Sequence, residues 1–382
     1  MHPTDEDKPH KQADRQPASQ DDARKARLAE RLPTVALGDW PTPVQAADPG
    51  ALPGPCAGLW LKRDDRCARP YGGNKVRKLE FLLGEALRCG HDGVFTFGVA
   101  GSNHALATGI YAASVGLEAQ LLLTPQSNSS FVGRNLRMGR WCGARQVPCA
   151  TEAEASVRAR CLELRDPRLG PAPYRIPGGG SSPLGTLGFV SAGLELAAQV
   201  RAGELPVPDR LYVALGTMGT AAGLALGLAA GGLDTRLVPV RVVRADIASP
   251  RRFRQLYHGA ARLLHRADPR FPLLPMGVSR IEWRHEFFGP GYARFTPEGM
   301  AALAFAREAF GVGLEGTYTG KAMAALLADL EAGRLAGKNI LFWNTYNGHA
   351  MPAEALALDY HELPAAFHRY FETPYQPLDP QA

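Results

Sequence analysis

The sequence is poor in cysteine, and the cysteine it has is not arranged for metal or disulfide work. Six cysteines stand at positions 56, 67, 89, 142, 149 and 161 of 382, none in a C-x-x-C pair and all in the first half. This fits neither a zinc framework nor a secreted disulfide scaffold, and reads as free thiols in a reducing cytoplasm. No His, Cys and carboxylate cluster has metal-ligand spacing, so no metal is expected. A strong excess of one charge is missing too. Lys and Arg total 43 against 37 Asp and Glu, a net +6, and the basic residues are scattered rather than striped, which argues against a nucleic-acid partner. There is no apolar signal core at the N-terminus. Residues 1–32 mix both charges with Pro, Gln and Ser and read as a disordered or loosely ordered extension. Internal repeats and low-complexity tracts are absent.

Long apolar runs are scarce. Leu211 to Leu233 is uncharged and approaches the roughly 20 residues of a membrane span. Its glycines and threonines divide it into a short buried strand, a turn and a buried helix, so no membrane partner is expected. Elsewhere short apolar strands alternate with amphipathic helices. Strands are expected at 59–64, 94–97, 119–123, 236–243 and 339–343, and helices at 74–88, 103–115, 131–141, 183–202, 297–310 and 321–330. Such alternation predicts an α/β protein with parallel-rich sheets flanked by helices. The length allows two domains.

Three glycine-bearing turns carry the chemistry. In Tyr71-Gly-Gly-Asn-Lys-Val-Arg-Lys78 two glycines permit a sharp turn and Asn74 is suited to cap the following helix. Lys75 then sits in the first helical turn, where the helix end carries roughly +0.5 of an elementary charge. Arg77 and Lys78 add positive charge, and such crowding lowers an amine's pKa and suits it to a Schiff base. A solvated helix face would explain the same residues. Gly98-Val-Ala-Gly-Ser-Asn-His104 joins a strand to a helix, where strand C-termini meet ligands. A simple helix cap would equally account for Ser102 or Asn103. Gly216-Thr-Met-Gly-Thr220 joins another strand to a helix and is suited to cradle a phosphate with backbone N–H groups. It lacks both the P-loop lysine and the dinucleotide fingerprint. The alternative is a tight packing turn. His104, within the second turn, is read as a packed helix residue rather than a proton relay. An activated lysine, a Ser-Asn turn and a single-phosphate cradle together point to pyridoxal phosphate.

With these motifs in order, residues from about Leu32 to Trp343 resemble the fold-type-II pyridoxal-phosphate enzymes, tryptophan synthase β-like in fold. The resemblance is strongest to the D-cysteine desulfhydrase and 1-aminocyclopropane-1-carboxylate deaminase family. It rests on Trp40-Pro-Thr-Pro43, Lys62-Arg-Asp-Asp65, Gly72 to Glu80, Ser102-Asn-His104, Pro177 to Ser181, Gly185 to Gly188, Gly216 to Thr220, Gly291-Tyr292 and Tyr318 to Ala322. It implies two domains: a large one from 33–88 and 188–365, a small one from 89–187, and a C-terminal tail at 366–382. It implies that Lys75 carries the cofactor, and that Lys78, Asn103 and the turn Gly216, Thr217, Met218, Gly219 and Thr220 hold it. Ser102, Tyr292 and Tyr318 match substrate-facing hydroxyls, and Thr319 matches the residue beside the pyridine nitrogen. A small amino-acid substrate, a cytoplasmic location and a homodimer are further implications.

Thr319 has chemical content. The deaminase branch carries glutamate there and the desulfhydrase branch threonine. A carboxylate keeps the ring nitrogen protonated and the electron sink deep, whereas a hydroxyl leaves it shallower. Elimination of a good leaving group from Cβ needs less carbanion stabilisation than opening a cyclopropane, so Thr319 argues for β-elimination to a keto acid and ammonia. β-Replacement, the cyclopropane deaminase reaction and a cofactor-binding protein without turnover are the alternatives. Where the family carries glycines after its last strand, this chain has Asn344-Thr-Tyr-Asn347, and 245–284 also matches poorly. Both departures bear on the substrate and leave the cofactor expectation intact.

Overall fold

Apolar runs too short for buried helices become parallel strands here, because helices cover both of their faces. The computed structural model describes residues 31–165 and 171–381; the expected extension therefore lies, for residues 1–30, outside the described residues. The strands are β1 (Val44–Ala46), β2 (Gly58–Lys62), β3 (Gly93–Val99), β4 (Glu118–Thr124), β5 (Arg145–Pro148), β6 (Tyr174–Ile176), β7 (Arg210–Leu215), β8 (Arg236–Arg241) and β9 (Asn339–Trp343). The helices are α1 (Lys75–Arg88), α2 (Asn103–Ser114), α3 (Ser130–Trp141), α4 (Glu152–Glu163), α5 (Pro183–Arg201), α6 (Gly219–Ala230), α7 (Pro250–Ala267), α8 (Pro297–Phe310), α9 (Thr319–Glu331), α10 (Ala353–Leu356) and α11 (Arg369–Glu372).

Two sheets result. One has the order β1-β2-β9-β7-β8, parallel except for β1, and the other β5-β4-β3-β6, parallel throughout. The apolar run at 211–233 divides as its glycines indicate, into β7 and α6. Among the described residues no helix is long and apolar enough to cross a membrane. No helix was expected over α7, yet Phe253, Leu256, Tyr257, Ala260, Ala261 and Leu264 form the buried face of an amphipathic helix whose other face carries arginines. Helix α5 spans the expected boundary at 187/188. The segment expected as a tail is bonded to the small-sheet side: Gln126 N–H donates to Tyr370 Oη (3.0 Å) and Ser130 N–H to Asp379 Oδ2 (2.8 Å).

A fully buried ion network anchors α1. Arg77 donates to both oxygens of Asp64 (2.8 and 2.9 Å) and both of Glu195 (3.0 Å each), and its guanidinium lies 3.8 Å from the Trp40 ring centroid. Lys62 Nζ donates to Glu195 Oε1, Gln199 Oε1 and the Thr42 carbonyl, each at 2.6 Å. Two cations face two carboxylates, so the cluster is neutral, as burial of charge requires. Burial alone would raise the Glu195 carboxyl, but Arg77 and Lys62 bring it down to about 2.

Candidate active site

The strands' C-terminal ends open onto a cavity of about 730 Å³ between the two sheets, and every residue expected at the site except Gly219 lines it. Lys75 is presented by a turn that only glycine permits. Gly73 has φ +96°, and a Cβ there would lie 2.7 Å from the Thr345 carbonyl. Burial brings the Lys75 amine down to about 8, against the pull of Glu315. The direction is the expected one, but the cause differs. Arg77 does not crowd Lys75; its charge is spent on Asp64 and Glu195. Asn74 does not cap α1 either. It gives its Nδ2 hydrogen to Thr220 Oγ1 (3.0 Å), tying the lysine turn to the turn before α6.

The Gly216–Thr220 turn is built as a concave donor site. Lys78, three residues after Lys75, donates to the Gly179 carbonyl (3.0 Å) and lies 3.4 Å from Ser181 Oγ. Ser181 Oγ also bonds Thr217 Oγ1 (2.7 Å) and accepts from Gly219 N–H (3.1 Å). A Cβ on Gly219 would sit 2.7 Å from Ser181 Oγ and 3.2 Å from Lys78 Nζ. Met218 holds φ +74°, unusual for a side-chain-bearing residue, at the N-cap of α6. Burial and the neighbouring Lys75 push the Lys78 amine down; that amine, hydroxyls and a helix N-terminus around a space kept open by glycine fit a phosphate monoester, whose negative charge would favour the ammonium form.

On the opposite wall Ser102 Oγ caps α2 by accepting from Ala105 N–H (3.2 Å). Asn103 Oδ1 accepts from Tyr71 Oη and from Asn135 Nδ2, both at 3.0 Å. His104 is a packed residue: its Nε2 lies 2.9 Å from Thr96 Oγ1, and burial with Lys75 and Lys78 nearby keeps it neutral. The hydroxyls of Tyr292 and Tyr318 bond each other, and burial raises both above the usual phenol range, so both keep their protons at neutral pH. Thr319 Oγ1 accepts from Glu315 N–H (3.0 Å) at the start of α9.

Glu315 is the residue that sequence reasoning missed. Its carboxylate accepts from the N–H groups of Thr317, Tyr318 and Thr319 (2.7 to 2.9 Å), it is buried, and it lines the cavity. Burial raises it, opposed by those N–H groups and by Lys321. The available signal was an acidic residue just ahead of a helix start. The altered turn after β9 pairs mostly with protein. Asn347 Oδ1 accepts from Gly72 N–H (2.8 Å), and Tyr346 Oη accepts from Arg134 Nη2 (3.1 Å) on α3 while facing the cavity.

Residues 35–345 match the family described as pyridoxal-phosphate dependent enzyme, and the chain belongs to that family. Its cofactor is pyridoxal phosphate, which when bound supplies an aldehyde for amines and a ring that withdraws electrons from Cα. The chain is 35% identical over 305 residues to the D-cysteine desulfhydrase of Yersinia pestis, covering 77% of this chain and 87% of the relative. It is also 35% identical to a putative 1-aminocyclopropane-1-carboxylate deaminase of Pyrococcus horikoshii (83% and 93% covered) and to the nocardicin C-9' epimerase of Nocardia uniformis (82% and 92%). A solved structure of an ACC deaminase homologue superposes with a TM-score of 0.70 at 33% identity, over 84% of this chain and 93% of the other.

Proposed function

We propose that this enzyme is a lyase of the D-cysteine desulfhydrase kind, which removes a leaving group from Cβ of a small amino acid to give a keto acid and ammonia. The observation that carries the reading is Lys75: an amine brought down to about 8, in one cavity with a phosphate cradle, a capped Ser-Asn turn and a threonine at 319. In this reading Lys75 holds the cofactor and, once released, takes the α-proton. Lys78, Asn103 and the 216–220 turn hold the cofactor. Ser102 and the N-terminus of α2 orient the substrate carboxylate. Tyr318, backed by Tyr292, stays protonated and donates a hydrogen bond to the departing group. Thr319 offers a hydroxyl in place of a carboxylate to the ring nitrogen, which suits elimination. The two sheets mark the proposed large and small domains. A cytoplasmic homodimer completes the reading.

Incubation of the holoenzyme with D- and L-cysteine, β-chloroalanine and 1-aminocyclopropane-1-carboxylate tests it. Keto acid and ammonia from the β-substituted amino acids, but not from the cyclopropane, are expected. Solvent deuterium entering Cα without keto acid would instead favour chemistry of the kind named for the Nocardia relative. A thioether formed on adding thiol would favour replacement.

A further inference from the structure

Helix α7 opens against the polarity of a helix end. Its first turn reads Pro250-Arg-Arg-Phe253 and holds no acidic residue, although the N-terminus of a helix carries partial positive charge and favours carboxylates. The cap is ordinary: Ser249 Oγ accepts from Arg252 N–H (3.3 Å). Within the helix itself nothing stabilises two arginines at this place.

The partner of Arg252 lies outside the helix. The buried face of α7 packs against α5 and α6 and fixes where its first turn lies. Gly259 comes so close to Pro183, the first residue of α5, that a Cβ would lie 2.7 Å from the proline ring. That packing sets Arg252 beside Ser181, two residues before α5. Arg252 Nη2 donates to the Ser181 carbonyl (2.9 Å), and no backbone N–H among the described residues bonds to that carbonyl. Ser181 is 2% exposed, and its hydroxyl is the centre of the phosphate cradle, bonded to Thr217 and to Gly219 N–H and close to Lys78.

Charge points the same way. A second cavity, of about 470 Å³, adjoins the main one: Gly178 and Thr217 line both, and Ser181, Arg251 and Arg252 line the second. Its carboxylate, Asp246, is paired with Arg244 (2.5 Å). Among the described residues no carboxylate pairs with Arg251 or Arg252. A phosphate monoester is doubly negative near neutral pH, and the Lys78 amine is pushed down by burial and by Lys75. A guanidinium keeps its charge over the whole working pH range.

We propose that Arg252 is a positioning residue for the cofactor's phosphate: it fixes Ser181 through its carbonyl and supplies permanent positive charge next to the cradle. The inference rests on the reading of Gly216–Thr220 as that cradle and is independent of whether the reaction is an elimination.

The test titrates the apoprotein with pyridoxal phosphate and with pyridoxal, which lacks the phosphate, following the cofactor's absorbance. Wild type is compared with Arg252→Met, Arg252→Lys and Arg254→Met; Arg254 is an exposed arginine on the same helix that lines neither cavity. Wild type is expected to bind pyridoxal phosphate at least a hundredfold tighter than pyridoxal. Arg252→Met should weaken pyridoxal phosphate at least tenfold and leave pyridoxal within twofold. Arg252→Lys should recover at least threefold of that loss, and Arg254→Met should change neither ligand. Equal weakening of both ligands, as a merely structural role would give, an unchanged ratio, or an equal effect of Arg254→Met overturns the proposal while the cradle stands. A wild type that does not distinguish the two ligands removes the cradle reading, and the proposal with it. Where pyridoxal binds too weakly to measure, phosphorus NMR of the holoenzyme decides. A resonance moved by Arg252→Met and untouched by Arg254→Met sustains the proposal, and one that Arg252→Met leaves in place overturns it.

Discussion

Lys75 is the residue on which the chemistry turns, and its acidity is set by burial. A neutral amine is the nucleophile that captures an aldehyde. With the amine at about 8, cofactor capture by the apoprotein should slow about tenfold per pH unit below that value and level off above it. An exposed lysine, near 10.4, would keep gaining rate to pH 10. Stopped-flow absorbance on apoprotein separates the two. Lys75→Ala should lose covalent cofactor, and borohydride reduction with peptide mapping should find the adduct on Lys75 alone. Thr319 gives a sharper test. Replacing it with glutamate sets a second carboxylate against buried Glu315, so one of the pair is pushed up in pKa. Thr319→Glu should retain cofactor yet slow elimination by about tenfold or more, roughly 1.4 kcal/mol of barrier. Unchanged or faster turnover would remove the argument that the hydroxyl tunes the ring.

At the scale of elements, α1 matters because two of its lysines must face the cavity while Arg77 faces inward. The buried network does the orienting. Removing one partner leaves an uncompensated charge, so Glu195→Gln should cost about 3–5 kcal/mol in urea unfolding. The pH sign follows from the Glu195 carboxyl, about 2 folded against about 4.3 unfolded. Its stabilisation is fully present above about pH 4.3 and is lost as pH falls towards 2. The variant should show a weaker acid dependence across that window. Arg77 was expected to crowd Lys75 because spacing reports which residues lie near one another along a helix, and not what each face meets. The same limit hid α7, whose apolar stripe is periodic but diluted by arginines.

For the whole molecule, the turn after β9 links the two sheets. Tyr346 belongs to a segment following the larger sheet, yet its hydroxyl accepts from Arg134 on α3, packed with the smaller one. A phenol stands where close approach of substrate to backbone would need glycine. D-cysteine should therefore be handled below the roughly 10⁴ M⁻¹s⁻¹ of ordinary enzymes, and Tyr346→Gly should change the substrate profile. D-cysteine turned over at or above that efficiency, with a profile indifferent to Tyr346→Gly, would make the turn purely structural. Asn347 already leans that way, since its side chain holds Gly72.

The sequence by itself determined the alternation of strands and helices, the glycine turn that presents Lys75 and the turn before α6. Each is written in contiguous residues, because periodicity, backbone freedom at glycine and the polarity of a helix end are local properties. Tertiary structure decided what those local pieces meet. Asn74 pairs with Thr220, Gly72 with Asn347 and Arg77 with Glu195, across 146, 275 and 118 residues of chain. Glu315 enters the site only when two sheets bring their strand ends together. Burial and charge neutralisation depend on neighbours that sequence order does not supply.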